Sequence, residues 1–132
     1  ALTAEGFACA LAATLEKRES MLKLMSMNIY DMECNSRLEN LVAFKMAYAN
    51  AIGSVGRCLE KFFPSMTAAD IQDFLYALFP FLFGVYPYTS HTEKQIKAME
   101  LAHVEYTNCS IYELVKPFVK RLLLPFQDSE DS

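Results

Sequence analysis

Residues 74–89 read Phe74-Leu75-Tyr76-Ala77-Leu78-Phe79-Pro80-Phe81-Leu82-Phe83-Gly84-Val85-Tyr86-Pro87-Tyr88-Thr89, and the architecture follows from this stretch. It does not alternate with period two, so it is not a half-buried strand. Together with the preceding turn it places Ile71, Phe74, Leu75, Leu78 and Leu82 on one helical stripe. From Phe74 onward the opposite faces are apolar too, through Tyr76, Phe79, Phe81 and Phe83. A helix that is apolar nearly all round must be covered nearly all round. A small domain covers one side of such a helix, and the other side points to a partner. Pro80 removes a donor inside the helix and frees the carbonyl of Tyr76, and Gly84 with Pro87 is expected to end it. The apolar part stops at Tyr88 after fifteen residues. That is short of a membrane span, so the expectation is a buried helix and no membrane.

On the N-terminal side, Phe63-Pro64-Ser65-Met66 is a turn, and Thr67 caps the helix with Asp70 in the capping-box place. Before it comes the longest helix, opened by Asn35 and Ser36, with Ser36-Arg37-Leu38-Glu39 as a capping box. Its main face runs Leu38, Leu41, Lys45, Tyr48, Ile52, Val55, Leu59 and Phe62. A second face is thin, with Ala43, Ala47, Ala49, Ala51, Gly53 and Gly56. Two glycines inside a helix cost about 1 kcal/mol each in propensity. Either close packing of a neighbouring helix or a cavity compensates. At the start of the chain, Thr3 caps a helix carrying Ala4, Phe7, Ala8, Leu11 and Leu15 on one face, and Leu2 with Phe7 fits a hydrophobic staple. The charged cluster Glu16-Lys17-Arg18-Glu19 breaks it. Ser20 then caps a second helix, which Met21, Leu22, Leu24, Met25, Ile29 and Met32 carry to about Tyr30.

On the C-terminal side, Ser90-His91-Thr92-Glu93 opens a short polar helix with Ile96 and Met99 pointing inward. Ser110-Ile111-Tyr112-Glu113 opens the last helix, striped by Ile111, Leu114, Val115, Phe118, Val119, Leu122 and Leu123, with Pro117 on the opposite side. The expected class is all-α, with about five helices. Residues 1–125 form the folded domain, and residues 126–132 an acidic, flexible tail.

Composition narrows the function. Apolar residues make up 53% of the 132 and charged residues 21%, which excludes a disordered chain. The formal charge of -4 is not that of a protein gripping a phosphate backbone. The four cysteines, Cys9, Cys34, Cys58 and Cys109, form no CxxC or metal-ligand spacing and read as buried thiols in a reducing cytoplasm. No catalytic or metal constellation is legible, and no cofactor is expected. His91 and His103 are twelve residues apart and cannot form an H-E-x-x-H pair. The carboxylates sit at helix starts or on solvated faces, and there is no Gly-rich phosphate loop and no G-x-S-x-G.

Function is therefore expected in a cavity or an interface rather than in a catalytic group. Side chains with an apolar body and a polar tip or soft sulfur suit ligand pockets. Met21, Met25, Tyr30, Phe44, Tyr48, Phe74 and Tyr76 are spaced to line such a pocket between the second, third and fourth helices. Tyr86, Tyr88 and His91 would form a polar lid beyond the proline kink.

The run from Phe74 to Thr89, followed by Thr92-Glu93-Lys94-Gln95 and Ala98-Met99-Glu100-Leu101-Ala102, resembles the C-terminal domain of TetR-family transcriptional regulators. Arg18-Glu19, Asn28-Ile29-Tyr30-Asp31, Arg37-Leu38-Glu39 and Phe44-Lys45 resemble the preceding helices of a subgroup. The resemblance covers residues 1 to about 124. It implies a cytoplasmic repressor in which this domain binds a small effector and forms the homodimer. The dimer would arise from the last two long helices, Thr67–Val85 and Ser110–Leu124, packing as a four-helix bundle with the partner subunit. Phe79, Phe81, Phe83, Ile111, Val115, Phe118 and Leu122 are the interface candidates. The chain carries no helix-turn-helix and begins at Ala1, which implies a piece of a longer regulator whose N-terminal domain contacts DNA. The alternative is a helical structural or protein-interaction domain without a ligand.

Overall fold

The computed structural model describes residues 3–27 and 37–127. Six α-helices follow in order, α1 (Ala4–Glu16), α2 (Glu19–Ser26), α3 (Leu38–Phe62), α4 (Ala68–Thr89), α5 (Glu93–Leu101) and α6 (Ile111–Leu123), and a 3-10 turn closes at Leu124–Phe126. The protein is all-α, with no strand among the described residues.

Local chemistry accounts for most of the boundaries. The Thr3 hydroxyl accepts from the Gly6 N–H at 2.9 Å, and α1 buries Ala4, Phe7, Ala8, Ala12 and Leu15. The chain turns at Lys17-Arg18, as the charge cluster predicts. Reciprocal capping boxes at Thr67–Asp70 and Ser110–Glu113 open α4 and α6. α1 packs most extensively on α6, and α2 on α4, while α4 also touches α3 and α6. The shared core contains Leu22, Leu59, Phe63, Leu78, Leu82, Val115, Val119 and Leu123. Phe7 meets Phe63 edge-on at 5.5 Å within it.

Several expectations are corrected. Gly84 and Pro87 do not end α4, which runs to Thr89. A proline removes one donor only, and the last turn is held by the Thr89 hydroxyl and the Ser90 N–H, both donating to the Tyr86 carbonyl. With Ser90 engaged there, α5 is capped two residues later by the Thr92–Gln95 box. α2 stops at Ser26, whose hydroxyl donates to the Lys23 carbonyl at 2.7 Å before Met27 turns extended. α3 begins at Leu38 after Arg37, which makes no side-chain cap bond. Leu2, Ile29, Tyr30, Met32, Cys34, Asn35 and Ser36 lie outside the described residues, and so do the staple and the cap assigned to them. Among the described residues the thiols are not fully buried: Cys58 is exposed, and Cys9 and Cys109 are half-buried. Phe126 packs on the core and the Gln127 Oε1 accepts from the Ala4 N–H at 2.7 Å.

Because α4 extends to Thr89, its 22 residues are long and apolar enough to cross a membrane by length and composition, contrary to the fifteen-residue reading. Only 28% of its most apolar window is buried in the subunit. The expected buried helix is therefore half covered, along the face that carries Phe74, Leu78, Leu82 and Val85.

Candidate functional site

Three helices meet around a small chamber. On α2, Met21 and Met25 are one turn apart and point to the same side. On α3, Phe44 and Tyr48 supply ring walls, and Ala47 and Ala51 supply the room. Phe79 of α4 forms a further wall, and the space, partly open to solvent, is about 50 Å³. Tyr48 and Phe79 also line an outer groove of about 280 Å³ between α3 and α4. Ile52, Ala68, Ile71, Gln72, Leu75 and Tyr76 complete it.

Tyr48 stands between the two spaces. Its ring stacks on Phe44 at 6.4 Å, meets Phe79 edge-on at 5.4 Å and tilts against Phe83 at 5.7 Å. Burial, with the neighbouring Tyr76 phenol adding to it, pushes the Tyr48 pKa above its ordinary value. The hydroxyl therefore stays a neutral donor and acceptor at physiological pH. Tyr76 and Gln72 are exposed and give the rim two further polar tips.

The thin face of α3 splits between the two readings left open for it. Gly56 is buried against α4, where an added Cβ would lie 3.8 Å from Leu75 Cδ1 and 3.9 Å from Ile71 Cγ2, so a neighbouring helix packs on it at a distance that a methyl group would also allow. Ala47 and Ala51 face the chamber.

The sequence-derived lining residues divide accordingly. Met21, Met25, Phe44 and Tyr48 surround the chamber, and Tyr76 joins Tyr48 in the groove. Phe74 is core and looks instead toward Asp70, Asp73, Leu122 and Phe126. Tyr86 packs on the core, Tyr88 lies 70% exposed on another face, and His91 meets Tyr106 edge-on at 5.5 Å. No lid forms from these three. Tyr30 lies outside the described residues. Pro80 is exposed and lines the groove beside α6. Phe79, Ile52, Ile71 and Gln72 were missed as lining residues.

A second groove, of about 390 Å³, runs between α4 and α6 and is lined by Pro80, Phe81, Gly84, Val85, Tyr88 and Leu114. Phe81 and Phe118 stack at 4.0 Å beside it, nearly parallel. Of the interface candidates, Phe79, Ile111 and Val115 are buried inside the subunit, and Phe83 packs toward Tyr48. Phe81, Phe118 and Leu122 stay half-buried. Among the described residues no three of His, Cys, Asp and Glu cluster in a way that would hold a metal ion.

No curated protein and no solved structure matches the chain. A family profile described as a tetracyclin repressor-like C-terminal domain does match, over residues 1–122. Members of that family are transcriptional regulators, generally not enzymes, and their C-terminal domains generally dimerise and bind small-molecule effectors. With nearly its whole length inside the match, the chain belongs to the TetR family as a tetracyclin repressor-like C-terminal domain.

Proposed function

We propose that this domain senses a small, mostly apolar effector in the space between α2, α3 and α4, and forms a homodimer through the outer face of α4 and α6. In this reading it belongs to a cytoplasmic repressor, and it reports occupancy to a DNA-reading domain carried elsewhere in that regulator. The observation that supports effector binding is the adjacent chamber and groove, which share Tyr48 and Phe79 as walls. Apolar lining with few polar tips is what ligand sites in helical proteins look like. An effector entering there separates α2 and α3 from α4, while α1 stays packed on α6. A shift of one helix pair against the other can then displace attached DNA-reading domains from successive major grooves.

Dimerisation is supported by the uncovered side of α4, where Pro80, Phe81, Gly84 and Tyr88 form an apolar strip continuous with Leu114 of α6. An exposed patch of this kind on a soluble protein marks an association surface. Gly84 offers a clean test, because a Cβ there meets nothing within 4 Å in the subunit. Gly84→Arg should fold normally by circular dichroism and sediment as a monomer. Phe81→Asp and Phe118→Asp should do the same. If all three variants remain dimeric in ultracentrifugation, the interface lies elsewhere.

The ligand reading is tested by titrating a neutral, environment-sensitive naphthalene dye. The expected result is a saturable site per subunit that is lost when Ala51→Leu and Ala68→Trp fill the chamber and the groove. The small inner chamber favours the alternative, an interaction domain without a ligand. Saturable binding that survives both substitutions, or no binding, would support that alternative.

A further inference from the structure

The outer groove has a chemical character that goes beyond being apolar. Its eight lining residues are Tyr48, Ile52, Ala68, Ile71, Gln72, Leu75, Tyr76 and Phe79, and the chamber behind adds only methionine, alanine and phenylalanine side chains. None of these carries a charge. An ionised ligand seated against this lining would give up part of its hydration without gaining a counter-ion, which costs free energy even in a groove partly open to water. A neutral ligand loses far less.

Of the three polar residues that line that uncharged space, Tyr48 is the most covered. Tyr76 is 69% exposed and Gln72 sits at the rim, so both keep water as a partner, while Tyr48 is half-buried. Three aromatic rings at 5.4 to 6.4 Å pack around the Tyr48 ring and restrict its movement. A preorganised donor contributes more to selectivity than one that must first be ordered. Burial and the Tyr76 phenol keep it protonated well past neutral pH.

We infer that the site selects an uncharged, largely apolar molecule bearing one hydrogen-bond acceptor, such as a ketone or ether oxygen, and that Tyr48 is the residue reading that acceptor. This rests on the effector-binding reading above and deepens it: charge and a single oxygen separate ligands, and Phe79 with the groove walls supplies bulk affinity. Carboxylates and ammonium ions of the same shape are rejected because nothing in the lining pairs with them.

Four probes of one shape test it by calorimetry on the full chain: 2-acetylnaphthalene, 2-ethylnaphthalene, 2-naphthoate and 2-naphthylmethylammonium. The ketone should bind tightest and the hydrocarbon roughly three- to tenfold more weakly, the value of one net hydrogen bond. The two ions should bind weaker still. In Tyr48→Phe, which keeps the ring and its three aromatic contacts, ketone and hydrocarbon should bind equally, with hydrocarbon affinity within about twofold of the parent. Equal or tighter binding of either ion overturns the inference while leaving effector binding intact. So does a ketone preference that persists in Tyr48→Phe. Binding of none of the four, or binding insensitive to Ala68→Trp at the groove rim, overturns the effector-binding reading itself.

Discussion

Single residues show where the packing is tight and where it has slack. Gly56 costs helix propensity in mid-helix, and a methyl group there would make ordinary contacts at 3.8 and 3.9 Å. Gly56→Ala should therefore stabilise the domain by about 1 kcal/mol, through helix propensity and a less free unfolded chain. The melting temperature should rise by about 3–6 °C. Tyr48 makes the opposite kind of statement, about charge. Its folded pKa is raised above 10.0, so its stabilising effect is complete below the unfolded value and is lost as pH climbs through the folded one. Stability should fall in the alkaline range above about pH 10, and Tyr48→Phe should flatten part of that fall. Melting temperatures of both proteins between about pH 9 and 11.5 check this. Tyr112 titrates high as well, through a hydrogen bond with Cys9 first and its desolvation second, so some alkaline loss should persist in the variant.

At the scale of elements, α5 differs from the rest because it has caps but no core. It buries no residue, and its nine residues are too few for a helix to persist on propensity alone. Its start is the Thr92–Gln95 box. Its end is a Schellman motif, with the His103 N–H donating to the Glu100 carbonyl and the Val104 N–H to the Met99 carbonyl. That motif places His103 at φ 57, a left-handed conformation usually given to glycine. His103→Gly should relieve about 1 kcal/mol of local strain. Because α5 packs so lightly, the gain should appear as slower amide exchange across Glu93–Leu101 with little change in global melting. A rise in global stability without local protection would show that α5 is coupled to the core after all. In α4 the same separation of local and tertiary effects explains the helix that outran its prolines. Each proline removed one donor, and hydrogen bonds from Thr89 and Ser90 completed the last turn.

At the scale of the molecule, two helix pairs are joined along α4. One is α1 with α6, closed at its ends by polar contacts as well as by core. The Gln127 side-chain oxygen accepts from the Ala4 N–H, and Glu16 Oε2 accepts from the Tyr112 N–H at 3.1 Å. Glu5 lies 3.4 Å from Lys116, an exposed pair of small energetic value. Gln127→Ala leaves the Ala4 N–H, on a fully buried residue, without its partner. The expected cost is about 1–2 kcal/mol, read as a lower urea midpoint with an unchanged slope. The other pair is α2 on α4, with α3 laid across, and it encloses the chamber. Much of this was legible along the chain. Caps at Thr3, Thr67 and Ser110, the break at Lys17-Arg18 and the all-helical class depend on hydrogen bonds and apolar spacing within a few residues, which any reader of the sequence can find. The resemblance carried by Phe74–Thr89 likewise reached the correct family before any coordinate. Which aromatic serves which role did not follow, since Phe79, Phe81 and Phe83 differ only by rotation about one helix axis. Their neighbours come from α3 and α6, far away in sequence. Phe79 and Phe83 turn to Tyr48 and Phe81 to Phe118 because of how those helices cross α4, and that crossing is set by packing over the whole core.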